Sequence, residues 1–305
     1  MNDNSILFTQ IDRAASSEKE EYFFYPSSYW KDAWVRLKAH RPAIAGLCIL
    51  LVLLLFATVA PLFTKYTYYE THLHLKNQPP SWQFWFGTDE LGRDLFTRVW
   101  WGARISLFVG IAASLLDLVI GVFYGAVAGS IGGKIEELMM RVADILYSIP
   151  YLLLVILLMV IIGSGLATII IALTITGWIG MARIVRGQIL QIKELDFVKA
   201  ARAMGASRKR ILMQHLIPNA MGPIIVTVTL TIPTAIFAEA FLSFLGLGVQ
   251  APIASWGTMA SDGLSALRYY PWRLFFPAAF ISITMLSFNM LGDGLRDAFD
   301  PRLRS

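Results

Sequence analysis

Few residues of this 305-residue chain have the type and spacing to do chemistry. Two acids, Asp117 and Glu239, fall inside long apolar runs, where hydrocarbon offers a carboxylate no solvation, so each is a functional candidate. At 1.5 Å per residue Asp117 lies roughly 18 Å into its run, near mid-depth, and Glu239 roughly 28 Å into its own, near an interface. Asp117 can line a pathway or bond to a neighbouring helix. Glu239 can meet a charged solute at the rim or sit among headgroups. His72 and His74 stand at i and i+2 without further ligands nearby, a polar surface rather than a metal site. Cys48 is the single cysteine, which rules out an intrachain disulfide or cysteine-based metal cluster. The glycine cluster Gly129 to Lys134 lacks phosphate-loop spacing and has Ile135 where a magnesium-binding hydroxyl belongs, so it reads as a turn. With no Ser-His-Asp, Cys-His or paired-carboxylate arrangement, no catalytic residue is expected.

The elements that carry these residues are apolar. The chain is 56% hydrophobic and 15% charged with mean hydropathy +0.58, too apolar for an ordinary water-facing surface. Six runs, near 43–63, 105–129, 145–163, 166–182, 220–247 and 274–291, each approach the roughly 20 residues that cross about 30 Å of hydrocarbon. The first begins after forty mostly polar residues and lacks a small-residue cleavage site, so it is expected to remain as an anchor. Of 26 Lys and Arg, 19 fall in the loops that are cytoplasmic if the amino terminus is inside, and seven (Lys65, Lys76, Arg93, Arg98, Arg104, Arg268 and Arg273) on the other side. Both termini are therefore expected to be cytoplasmic. The pI near 9.3 then reflects this bias and affinity for anionic membrane lipid rather than nucleic acid.

The expected fold is an all-α polytopic membrane protein. It has a cytoplasmic tail over 1–42 that becomes amphipathic around Tyr29 to Leu37, and a first span over 43–63. An outer segment follows over 64–102, with a short interfacial helix capped by Thr88. The transmembrane domain covers 103–292, with helices near 105–129, 139–163, 166–186, 220–247 and 273–291, and a tail covers 293–305. Pro150, Pro223, Pro233 and Pro277 interrupt helices, either as static kinks or by freeing carbonyls that line a cavity.

The loop over 187–219 is the most informative segment. Lys193 to Met204 has helix-forming composition, Gly205 can supply a left-handed terminator, and Ser207 can cap a second helix running to His215. Ala200, Ala201 and Gly205 would let another protein approach the backbone, while Leu195, Val198 and Met204 offer apolar contact. Arg208, Lys209 and Arg210 suit anionic headgroups equally well, so the residues alone allow either a docking handle or a lipid-facing basic helix.

Lys199-Ala200-Ala201, then Gly205, then Ile217-Pro218-Asn219 resembles the coupling-loop signature of importer-type ABC permeases, with Lys199 in place of the usual acid. Further stretches are similar to the C-type permease subunit of oligopeptide, dipeptide and nickel importers, the oligopeptide branch most of all. They are Gly87-Thr88-Asp89 with Gly92-Arg93-Asp94, Gly102 to Ser106, Ala182 to Gln188, Leu242 to Gly248, Ser255-Trp256-Gly257, and Gly292 to Asp297 with Asp300-Pro301. The resemblance implies a type I ABC importer permease fold in the cell inner membrane and ATP-driven translocation of oligopeptides or dipeptides by alternating access. It implies a homologous second permease subunit, two ATPase subunits holding ATP and magnesium, and an extracytoplasmic peptide-binding protein; no cofactor is implied in this chain. Lys199, Ala200, Ala201, Met204, Gly205 and Ser207 would couple to the ATPases. Asp117 or Glu239 would meet the peptide on its pathway. The alternatives are a proton-coupled secondary carrier and, within the family, a nickel or cationic-peptide importer.

Overall fold

The computed structural model describes residues 29–300; the solvated tail expected before residue 29 and the last five residues lie outside this range. The described residues form eleven α-helices: α1 Tyr29–Ala39, α2 Arg41–Phe63, α3 Leu95–Ile131, α4 Gly133–Tyr147, α5 Tyr151–Ile162, α6 Leu166–Ile192, α7 Asp196–Ala203, α8 Arg208–Ile211, α9 Ile217–Phe244, α10 Trp256–Leu264 and α11 Trp272–Phe299. Five helical segments are long and apolar enough to cross a membrane, or six if the bent pair α4 and α5 counts as one span.

Each span is bounded by local chemistry. His40 accepts the Ala43 N–H at 3.2 Å and Pro42 stands in the first turn, so α2 starts two residues before its apolar run. The second span starts ten residues earlier than expected, because the Asp94 carboxylate accepts the Thr97 N–H at 2.9 Å and caps α3. No separate interfacial helix precedes it: residues 95–101 are the first turns of α3. Thr88 is not a helix cap, since its hydroxyl accepts from the Gln78 N–H and donates to the Leu75 carbonyl, joining two separate stretches of the outer segment.

The third span is broken rather than continuous. Helices α4 and α5 meet at 78° across Ser148, Ile149 and Pro150, where proline removes a helical N–H and pushes the preceding residue out of helical geometry. The twelve residues of α5 reach about 18 Å, short of a full crossing. Helix α6 continues beyond 186 to Ile192, because its polar end is held by partners. Arg183 pairs with Asp144 at 2.7 Å, Arg186 with Glu136 at 2.5 Å, and Lys193 Nζ donates to the Gly129 carbonyl at 3.1 Å.

The helix after Ser207 does not stop at His215. It runs through to Phe244, with one wide π turn over Leu212–Leu216. Pro218 has no N–H for a regular i−4 bond, and the turn widens so that the Ile217 N–H reaches the Leu212 carbonyl. Helix α11 likewise continues past 291 to Phe299.

Helix α3 is the centre of the bundle. Gly121, Gly125 and Gly129 press against Met181, Ala182 and Ile189 of α6, the small-residue packing by which membrane helices approach closely. Gly46 of α2 lies against the Ser287 carbonyl of α11. The outward face of α2, including Leu51, Val52, Leu54 and Leu55, is exposed, as suits contact with lipid.

Candidate functional site

The loop over 187–219 folds as two helices around a tight glycine turn. After α7 the Gly205 N–H donates to the Arg202 carbonyl at 3.0 Å and the Ala206 N–H to the Ala201 carbonyl at 3.1 Å, the paired bonds of a Schellman end. Gly205 takes φ +83°, and no heavy atom lies within 4 Å of where its Cβ would stand. Glycine is required here by conformation, not by crowding. The Ser207 hydroxyl accepts from the Arg210 N–H at 3.3 Å and starts α8.

The turn has a packed underside and an open top. Val198 is fully buried in a cluster with Ile189, Ile192, Ile211 and Leu216, and Ala201 is nearly buried. The two residues are one helical turn apart, so both lie on the buried side of α7. The open face instead carries Leu195, Phe197, Lys199, Ala200, Ala203 and Met204, with Met204 82% exposed. Phe197 and Ala203 share a helical face with Ala200, a placement that the spacing of Lys199, Ala200 and Gly205 alone did not draw attention to. Phe197 also approaches the His215 ring at 6.2 Å, and Lys199 stands 3.8 Å from Glu194, both side chains largely solvated.

The two intramembrane acids lie apart from this turn. Asp117 is buried where α3 crosses α6, its carboxylate filling the space left by the missing side chain of Gly177. Glu239 is fully buried near the end of α9. Its Oε1 accepts from the hydroxyls of Ser255 at 2.7 Å and Ser243 at 2.8 Å, and its Oε2 from Ser106 at 3.2 Å. Three hydroxyls enclose Glu239, which has no exposed surface in this fold. Sequence spacing could have found Ser243, one helical turn from Glu239, but not Ser106 or Ser255, which only the tertiary fold brings there. His72 and His74 have ring centroids 6.0 Å apart, and among the described residues no group of three metal-ligating side chains forms.

The family described as binding-protein-dependent transport system inner membrane component matches residues 121–305, and the N-terminal transmembrane domain of oligopeptide transport permease C matches 28–80. The chain belongs to this permease family. The permease is 61% identical over 277 residues to the oligopeptide transport system permease protein OppC of Bacillus subtilis, covering 91% of each chain. It is 58% identical to the dipeptide transport system permease protein DppC of the same organism, over 98% of this chain and 92% of that one. OppC of Salmonella typhimurium is 45% identical, over 91% and 92%. Among solved structures, an inward-facing form of the MetNI methionine ABC transporter matches with TM-score 0.56 at 22% identity, covering 65% of this chain and 94% of that one, which establishes a shared permease fold. The permease is a multi-pass inner-membrane protein of the ABC importer type.

Proposed function

We propose that this permease is one half of the translocation pathway of an ATP-driven importer of oligopeptides or dipeptides. It pairs with a homologous permease, two ATPase subunits that bind ATP and magnesium, and an extracytoplasmic peptide-binding protein. Both termini face the cytoplasm, as the Lys and Arg distribution favours. The chain itself catalyses nothing, and ATP is hydrolysed on its partners.

The observation that carries this reading is the turn around Gly205. Its Schellman end is rigid, its top is open and lined by Ala200, Ala203 and Met204, and it leads directly into the 37-residue helical segment Arg208–Phe244. Lys199, Ala200, Met204, Gly205 and Ser207 form the ATPase-docking surface with Phe197, while Ala201 supports it from beneath. Closure of the ATPases would push this turn and rock the attached helices between inward- and outward-open states. Asp117 is read as a packing acid of the α3/α6 seam.

The test is to assemble the permease with its partner subunits and replace Gly205 by Trp. Peptide-stimulated ATP hydrolysis is expected to disappear while the chain still inserts; retained stimulation would remove the docking assignment. Peptide uptake by the purified chain alone under an imposed proton gradient would instead establish a secondary carrier.

A further inference from the structure

Glu239 is a fully buried acid bonded by three hydroxyls, and the docking role proposed for Gly205 does not use it. Ser106, Ser243 and Ser255 each direct a hydroxyl at its carboxylate, from α3, from α9 itself and from the residue that caps α10. The lone pairs of two of these hydroxyls are engaged in turn: Ser106 accepts the Trp256 N–H at 3.1 Å and Ser255 accepts the Thr258 N–H at 3.2 Å. The carboxylate is thus linked, through one hydroxyl on each side, to the first backbone donors of α10.

Packing reinforces the same junction. A Cβ on Gly257 would stand 2.5 Å from the Ala240 Cα, so α10 lies directly on α9. Trp256 is fully buried, and its indole N–H donates to the Val99 carbonyl at 2.9 Å. With nine residues, α10 is about 13 Å long and cannot cross a membrane; the chain enters from α9 and leaves to α11 at the same end of the bundle. The opposite end of the helical segment Arg208–Phe244 adjoins the Gly205 turn, and Glu239 lies about 46 Å from that end along the helix.

We propose that Glu239 is a positioning residue that transmits movement of this helix to α10: the three-serine clamp makes α10 move with α9 and α3, so that a push at the Gly205 turn opens or closes the path at the far end. The proposal rests on the docking role of Gly205, which supplies the push. A carboxylate suits the task because it accepts several hydrogen bonds at once and reaches three elements from one side chain.

The test uses the complete importer in lipid nanodiscs, with Glu239→Ala, Glu239→Gln, Ser106→Ala and Ser255→Ala in this chain. Peptide transported per ATP hydrolysed is expected to fall about tenfold or more in Glu239→Ala while ATP hydrolysis continues, with a smaller loss in Glu239→Gln, which keeps one acceptor oxygen. Adding Ser106→Ala to Glu239→Ala is expected to cost less than Ser106→Ala costs alone, since both act through one clamp while Ser106 keeps its own bond from the Trp256 N–H. Hydrogen exchange over residues 255–264 is expected to quicken in step with the loss of coupling. Faster exchange with unchanged transport per ATP, or additive serine and glutamate effects, would overturn the proposal by making the clamp merely structural. If Glu239→Ala fails to assemble, Glu239→Gln and Ser255→Ala give the same comparison. Failure of the wild-type permease to bind ATPases, or coupling that survives Gly205→Trp, would instead strike at the docking role.

Discussion

The two ends of the Arg208–Phe244 helix are built on opposite principles. At the Glu239 end the polar groups find partners within the chain: three hydroxyls on one carboxylate, the Trp256 N–H on Ser106, its indole on Val99. At the Gly205 end the backbone is satisfied by a Schellman turn, but the side chains above it, Phe197, Lys199 and Met204, face outward. A closed end keeps its own geometry; an open end has surface left for another molecule. The contrast implies that side-chain truncation costs more stability at the closed end than at the open end, where the exposed Met204 bears on association.

The largest effect that would test this contrast is at the closed end. Trp256→Ala empties a fully buried site and removes the partner of the Val99 carbonyl, and is expected to cost about 3–5 kcal/mol, read as a lower thermal midpoint of the solubilised protein. A loss under about 1 kcal/mol would mean that this end is looser than its bonding suggests.

At the open end, Gly205→Ala meets no neighbouring atom, so only its left-handed backbone is penalised, by about 1–2 kcal/mol. Circular dichroism on heating should register this smaller shift. Ser207→Ala removes the cap of α8 and is expected to cost about 1 kcal/mol or less, confined to faster hydrogen exchange around 208–211. Met204→Ala should leave stability within about 0.5 kcal/mol while weakening capture of the ATPases in a pull-down. A stability loss as large as that of Trp256→Ala would erase the distinction between the ends.

The smallest effect concerns pH, back at the closed end. Burial holds the Asp94 carboxyl above its ordinary value, against the opposing influence of its hydrogen bonds from Thr97. A raised carboxyl stabilises the fold while protonated, and that contribution is lost as pH rises through its folded value. Asn at this position keeps a capping oxygen without the charge. Asp94→Asn is therefore expected to gain stability relative to the wild type as pH rises from about 4 to about 7, measured by thermal midpoints across that range. A difference independent of pH would show that Asp94 does not titrate differently in the folded chain.

Much of this protein follows from order along the chain. Apolar length alone located the first span, and the spacing of Ala200, Gly205 and Ser207 announced a helix, a left-handed break and a second helix, because propensity and φ > 0 preference are local properties. Family-like motifs in sequence order pointed to the permease before any contact was visible. Local signals failed where distant residues decide. The early start of α3 depends on Asp94 winning the cap position while Asp89 is occupied by the Leu91 and Arg93 N–H groups. The length of α6 depends on Arg183 and Arg186 meeting acids on α4. Val198 belongs to the underside of the turn because the fold packs it with Ile211 and Leu216, and Ala201 is buried on that side of the same helix. Glu239 shows the division most clearly. Its sequence position marked an acid in an apolar helix, but its surroundings depend on serines 133 residues before and 16 residues after it, and a carboxylate's role in a membrane is set by the donors that replace water.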